Sequence, residues 1–454
     1  MSHFQAESQP PLTLGLNFLI ELFHPSHDLG PLVINYLTDA DQLRLATTCK
    51  SLRALVVPLY KLTIPNCMQR THEPSLVDFV QRYHPRVWSI SPDFEDLNDH
   101  RAEEVRRFLG QLRKADSVFL DVNSVSHWSQ TFDYLKELFQ PPRRLSLSID
   151  MGPNPSVSNG QAAFPDHRVA SMKRWFTFIR DLQLSFYADH DQSSLLSQLL
   201  PLFAGVKHLV VDGDISPSNL IPELAESFNQ LTHLTLTTPF NIAPLFDSHC
   251  IALQNIRSLD LYCPDDQPTL RAISSMSSTR YPHLYELSLF FGGERSDRNE
   301  VKWTDFRPFF DQPWPNLTRL TLQRCEVGGG EVGEYLATNF SNLRFLSFSN
   351  FSGSADALAC ILIHCSRLTT FHGIITSQNA LQSLLDSEFT NSALQSLILD
   401  GAECNWDELS HLMARFPNLR HLTIAFENGD LYGHARQQYP NVIFGQSPLM
   451  PFYT

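Results

Sequence analysis

Gly328-Gly329-Gly330-Glu331-Val332-Gly333 satisfies the G-x-G-x-x-G spacing, in which glycines let a backbone approach a dinucleotide pyrophosphate where a helix begins. An apolar strand pattern precedes it and a helical one follows, as that chemistry requires. No Asp or Glu closes the next strand to hold a ribose, and Asn350 and Phe351 stand there instead. His208 and His233 form the second candidate, because equivalent positions on neighbouring strands would place two imidazoles roughly 5 Å apart. A metal centre needs a third ligand that this spacing does not supply. Cys49, Cys67, Cys250, Cys263, Cys325, Cys360, Cys365 and Cys404 are irregularly spaced with no C-x-x-C, so they read as buried free thiols in a reducing compartment. G-x-S-x-G, H-E-x-x-H and P-loop patterns do not occur. The sequence therefore predicts no catalytic residues, no cofactor and no metal site.

What positions these residues is one phrase, stated five times. FPNLRHLTI (Phe416 to Ile424), WPNLTRLTL (Trp314 to Leu322), YPHLYELSL (Tyr281 to Leu289), FSNLRFLSF (Phe340 to Phe348) and FNQLTHLTL (Phe228 to Leu236) share an aromatic, two intervening residues, then L-x-x-L-x-apolar. The closing alternation has the period of a strand with one buried face. Marking the central position gives Leu145, Leu182, Leu209, Leu234, Leu259, Leu287, Leu320, Leu346, Phe371, Leu397 and Leu422, with successive spacings of 37, 27, 25, 25, 28, 33, 26, 25, 26 and 25. A period near 25 residues with this skeleton is the signature of a leucine-rich repeat, an α/β solenoid with a parallel concave sheet and convex helices. RVWSI (Arg86 to Ile90) and SVFLDV (Ser117 to Val122) extend it backwards and YPNVIF (Tyr439 to Phe444) ends it, for about twelve or thirteen turns. The glycine stretch then lies between two in-register strands and reads as a solenoid turn.

Two intervals are long. The first holds Met151 to Pro165, rich in Gly, Pro, Ser and Asn, and the second holds the charged run Gly292 to Trp303; both read as exposed insertions. With the leucines inward, the alternate residues line the concave face. Tyr262, Glu286, Phe290, Arg319, Phe345, His372, Asp400 and His421 are the candidate substrate-binding residues, with Tyr262, Phe290 and Phe345 as aromatic anchors.

A net charge of −14 and no basic cluster argue against a nucleic-acid partner, since phosphate binding needs a surplus of Lys and Arg on one face. LTLGLNFLIELF (Leu12 to Phe23) is too short to span a membrane, is interrupted by Asn17 and Glu21, and lacks the flanks of a signal peptide. The expectation is an intracellular protein, cytoplasmic or nuclear, with no membrane partner.

Residues 24–64 have a different texture. Asp28 with Pro31 behind it opens one helix, Thr38 with Asp41 a second through Leu45, and a third runs from Lys50 towards Pro58. LTDADQLRLATTCKSLR (Leu37 to Arg53) resembles the F-box, in the degenerate form common in fungal proteins. Leu37, Asp41, Leu43, Leu45, Ala46, Cys49, Lys50 and Leu52 fall on family positions. At the front, Pro25, Ser26 and Asp28 replace the family's Leu-Pro-x-Glu. The resemblance implies a box that binds the Skp1 adaptor of a cullin ubiquitin ligase through Leu29, Val33, Leu37, Leu43, Leu45, Cys49 and Leu52, while the repeats hold a protein substrate. The block also fits a helical cap on the first repeat, and the chain a scaffold without ligase association. The organisation expected is an extension over residues 1–23, the box over 24–64, a linker over 65–85, repeats over 86–444 and a tail over 445–454.

Overall fold

The computed structural model describes the backbone of four strands between Lys61 and Asp150, the segment around Ile179–Phe186, and most of residues 200–445. The N-terminal extension and almost all of the box, with Leu29, Val33, Leu37, Leu43, Leu45, Cys49 and Leu52, lie outside the described residues, as do Met151 to Pro165 and Gly328 to Gly330.

The chain forms two units, residues 1–188 and 189–454. In the first, β1 (Lys61–Ile64), β2 (Val87–Ile90), β3 (Ser117–Val122), β4 (Arg144–Asp150) and β5 (Ile179–Phe186) pair in parallel in chain order. The ladder thus takes in Lys61 to Ile64, which the sequence places in the tail of the helical block. Trp88, Val118 and Leu145 share a column, but Leu182 faces Leu147, two positions beyond Leu145; a slip of two residues keeps every side chain on its face and so leaves no trace in the apolar alternation. The register also shifts by one residue between Leu145 and Ser146, where the partner strand buries Ile179 and then Leu182, three positions on.

The second unit contains β6 (His208–Gly213), β7 (His233–Leu236), β8 (Ser258–Cys263), β9 (Glu286–Phe291), β10 (Val301–Lys302), β11 (Arg319–Gln323), β12 (Cys325–Glu326), β13 (Phe345–Phe351), β14 (Thr370–Ile375), β15 (Ser396–Cys404), β16 (His421–Phe426) and β17 (Ile443–Gly445). All but β10 and β12, which pair with each other, stand side by side in chain order and run parallel. Leu209, Leu234, Leu259, Leu287, Leu320, Leu346, Phe371, Leu397 and Leu422 are successive partners, so here the predicted marks form one column. All nine are at most 1% exposed. This repeat-like α/β architecture with a parallel sheet is compatible with the leucine-rich-repeat expectation.

The phrase folds as it does for three local reasons. Its aromatic starts a turn in which the leucine three residues on donates its N–H back to the aromatic carbonyl: Leu284 to Tyr281, Leu317 to Trp314, Leu343 to Phe340 and Leu419 to Phe416. The residue before that leucine is often Asn, and its side-chain amide donates to a main-chain oxygen of the preceding turn. Asn316 reaches Pro282 at 2.8 Å, Asn342 reaches Pro315 at 2.6 Å, and Asn418 reaches Ser392 at 2.7 Å. After the leucine, Thr232, Thr318 and Thr369 donate hydroxyls to Lys207, Tyr285 and Arg344 in the same manner. The asparagine amides thus tie each turn to the one before it, while the threonine hydroxyls add to carbonyls of Lys207, Tyr285 and Arg344 that already accept two main-chain N–H groups each.

Between the strands run α1 (Gln267–Ser274), α2 (Arg307–Phe310), α3 (Glu331–Asn339), α4 (Ala355–His364), α5 (Gln378–Asp386), α6 (Trp406–Arg415) and α7 (Gly429–Gln438). Asp266 caps α1 through the Thr269 N–H, and Asn405 with Glu408 forms a capping box on α6. From α3 to α6 each helix packs on the next, burying Val332, Leu336, Leu358, Ile361, Leu362, Leu381, Leu384, Leu409 and Leu412. Cys263, Cys325, Cys365 and Cys404 are buried in this core as thiols and not as disulfides; burial, with Cys360 nearby, pushes the Cys365 thiol up to about 12.

The end of the second insertion departs from the exposed-loop reading. Val301 and Trp303 are 6% and 5% exposed, and Trp303 meets Phe310 edge-on at 5.7 Å. The long interval thus ends in core, in a cluster with Phe306, Phe309, Phe310, Trp314 and Phe340.

Candidate functional site

Burial alternates along β7, β8, β9 and β16, so one face of the second unit's sheet carries the leucines and the other stays more open. Tyr262, Glu286, Phe290, Arg319, Phe345, His372, Asp400 and His421 are all on that open face, and most are brought into contact in groups. The Tyr262 and Phe290 rings lie 4.6 Å apart with planes tilted by 31°. Arg319 donates through Nε to Glu286 Oε1 at 2.9 Å and spreads its guanidinium 4.1 Å from the Phe345 ring centre. Ser258 donates to the other Glu286 oxygen at 3.3 Å. His372 Nε2 lies 3.0 Å from Asp400 Oδ2. His421 stands with Ser396 and Thr423, at 3.2 and 3.5 Å.

Ser347, His372 and Asp400 present the hydroxyl, imidazole and carboxylate of a nucleophilic triad, with 3.4 Å between Ser347 Oγ and His372 Nδ1. Ser347 is only 7% exposed, and its strand is paired on both sides, so the main-chain N–H groups around it serve the ladder and not an oxyanion. The three side chains form a polar clasp across β13, β14 and β15.

His208 and His233 are neighbours as their spacing predicts, with ring centres 4.3 Å apart and edge to face. Thr232 gives its proton to the Lys207 carbonyl, so its oxygen accepts from His233 Nδ1 at 2.9 Å, and His233 Nε2 lies 3.3 Å from the Tyr285 hydroxyl. Both nitrogens of His233 are thereby engaged. Among the described residues no three His, Cys, Asp or Glu side chains are grouped to hold a metal ion, and no helix is long and apolar enough to cross a membrane.

The glycine stretch has a packing role at its one described glycine. A Cβ on Gly333 would stand 2.5 Å from the Cys360 carbonyl carbon and 2.7 Å from the Ile361 nitrogen, so α3 lies against the backbone of α4 at this point. Close helix packing explains that glycine without a nucleotide.

Sequence reasoning missed Arg324. It follows β11 with φ 53°, the left-handed region that costs a non-glycine residue roughly 1–2 kcal/mol, and its guanidinium lies 5.2 Å from the Phe290 ring centre. Arginine gives no sign of left-handed backbone in a sequence.

Asp260 reaches solvent on the same face, yet burial by its surroundings raises its carboxyl above the ordinary 3.8; a Ser288 hydrogen bond opposes the shift and the charge of Glu286 adds to it. The folded chain therefore holds this proton more firmly than the unfolded chain. That contribution is complete below about 3.8 and is lost as pH rises through the folded value. Asp260→Asn is expected to raise Tm at neutral pH, with the gain shrinking towards pH 4. Thermal melts of both proteins across that range check it, and a gain that grows on acidification contradicts it.

No protein-family model matches the chain, and no curated protein is similar to it in sequence. Among solved structures, one chain of the crystal structure of the Rad7 and Elc1 complex in yeast is similar, with 15% identity and a TM-score of 0.42 over 95% of this chain and 93% of that one.

Proposed function

We propose that the chain is a non-catalytic substrate receptor of a Skp1–cullin–F-box ubiquitin ligase, working in the cytoplasm or nucleus. The box would dock the adaptor and the open sheet face would hold a protein substrate. The observation that carries the receptor role is that open face, where Tyr262 with Phe290, and Glu286 with Arg319 and Phe345, form two contacting groups across β8, β9, β11 and β13. Rigid strands present these side chains at fixed spacing, as a protein-binding surface requires. Ligase membership rests on the resemblance of Leu37 to Arg53 to the F-box. The chain itself then supplies proximity, holding a substrate near a ubiquitin-charged enzyme.

Capture of Skp1 and cullin by the full chain tests this. The wild type should recover both, and Leu37→Asp/Leu45→Asp should lose them while the thermal melt of the repeats is unchanged. Failure of the wild type to recover adaptor overturns the ligase reading. The open face would then serve the second reading, a leucine-rich-repeat scaffold, which the same aromatic and charged contacts favour.

A further inference from the structure

The residues that immediately precede β6, β7, β8, β9, β11, β13, β14, β15 and β16 form one row along the rim where those strands begin. Each member after the first donates its main-chain N–H to the carbonyl of the member before it. Lys207, Arg257, Arg344 and Arg420 belong to this row; they are exposed, and their side chains hold no hydrogen bond or ion pair among the described residues. The other members are threonines, Tyr285 and Gln395. Arg367, also exposed and two residues before its own row member, adds a cation and bonds the Asn342 side chain. The turns that end in the row, from 204–207 to 417–420, contain no Asp or Glu at their last four positions. These cations stand tens of residues apart in the sequence, so only the stacking of repeats gathers them.

We infer that this rim docks an extended acidic segment of the protein substrate; the inference deepens the receptor reading and rests on it. Three observations carry it. The first is local sign. In the next row inward, from His208 to Ile443, Glu286 is the only acid, and it is held by Arg319 and Ser258. Asp212, Asp260 and Asp400 lie three to five residues beyond the rim row, roughly 10 Å or more along their strands. A screening length of about 8 Å at physiological salt separates the rim from them and from the rest of a chain of net charge −14. The second is spacing. Lys207 and Arg257 are two strands apart, about 10 Å, while Arg257 to Arg344 and Arg344 to Arg420 are three strands each, about 14 Å. An extended peptide advances about 3.3 Å per residue, so acids three and then four residues apart meet these cations in turn. The third is density. Four row cations along roughly 38 Å would face about twenty phosphates of a DNA duplex, too many for them to neutralise, whereas four carboxylates match them one to one. Arginine, three of the four, also has the planar fork that a carboxylate accepts in pairs of bonds.

The test measures fluorescence anisotropy of the full chain, without adaptor, against a labelled glycine–serine peptide carrying four glutamates, the first two three residues apart and the rest four. Its glutamine counterpart and a labelled DNA duplex are the comparisons. Saturable binding of the glutamate peptide is expected, weakening as salt is added, with at least a tenfold loss for glutamine and no tighter binding of the duplex. Arg257→Gln/Arg344→Gln should weaken the glutamate peptide at least tenfold with the thermal melt unchanged. Absence of saturable binding, indifference to glutamine, full binding by the double variant, or a preference for the duplex overturns the inference. If the variant fails to fold, the three ligands on the unaltered chain still decide. Adaptor capture is a separate readout, so loss of one leaves the other standing.

Discussion

Trp314→Ala should destabilise the second unit by about 3–5 kcal/mol, the range for removing a large aromatic from a packed core. Trp314 is 1% exposed, and its Nε1 donates to the Phe309 carbonyl at 3.0 Å. Its ring lies 5.0 Å from that of Phe309, which in turn meets Phe310 at 5.3 Å and Phe340 at 5.8 Å. Truncation therefore removes a ring from a cluster with few ways to collapse and leaves a buried carbonyl without its donor. The neighbouring Asn339 amide is committed to the Phe310 carbonyl, at 2.7 Å, and is not spare to replace it. Chemical denaturation followed by tryptophan fluorescence and circular dichroism measures the loss. Trp314→Phe should recover most of the packing but not the hydrogen bond, and a Trp314→Ala cost below about 1 kcal/mol would refute the assignment.

Gly333→Ala is the second large effect, and it comes from adding one methyl group. The new Cβ would meet main-chain atoms of Cys360 and Ile361, which have no rotamer to move aside, so α3 and α4 must separate. Overpacking of this kind costs about 1–3 kcal/mol and sometimes more, against a gain of only about 1 kcal/mol in helix propensity from Gly to Ala. The expected sign is loss of stability. Because each repeat leans chiefly on its neighbours, the break should also split cooperativity, broadening the transition or lowering its denaturant slope. A variant with a higher midpoint and unchanged slope would refute the contact.

Much of the second unit was legible because its signal is periodic. The column from Leu209 to Leu422 follows from apolar alternation alone, and the outward positions of Tyr262, Phe290 and Arg319 follow from the same alternation. Three features were not legible. Leu182 faces Leu147 and not Leu145, and a slip of two residues keeps every side chain on its face, so the apolar pattern does not reveal it. Val301 and Trp303 carry their burial in a segment whose preceding residues are charged, so local composition pointed to solvent. The contacts of Arg324 with Phe290 and of His372 with Asp400 depend on side-chain reach across strands. The asparagine rungs were readable in principle, since Asn316, Asn342 and Asn418 recur at one position of the phrase. Treating that position as merely polar hid them.

Those rungs carry a consequence for how such a chain changes length. The amides of Asn316, Asn342 and Asn418 all point to the turn immediately before their own, and the threonine hydroxyls do the same. These three joints present the same outlet and the same inlet. A block cut out between one asparagine and the next leaves two ends that still fit, and a duplicated block finds both its bonds waiting. Such a gene can gain or lose binding surface in whole units, whereas a cut elsewhere strands an amide with no carbonyl to meet.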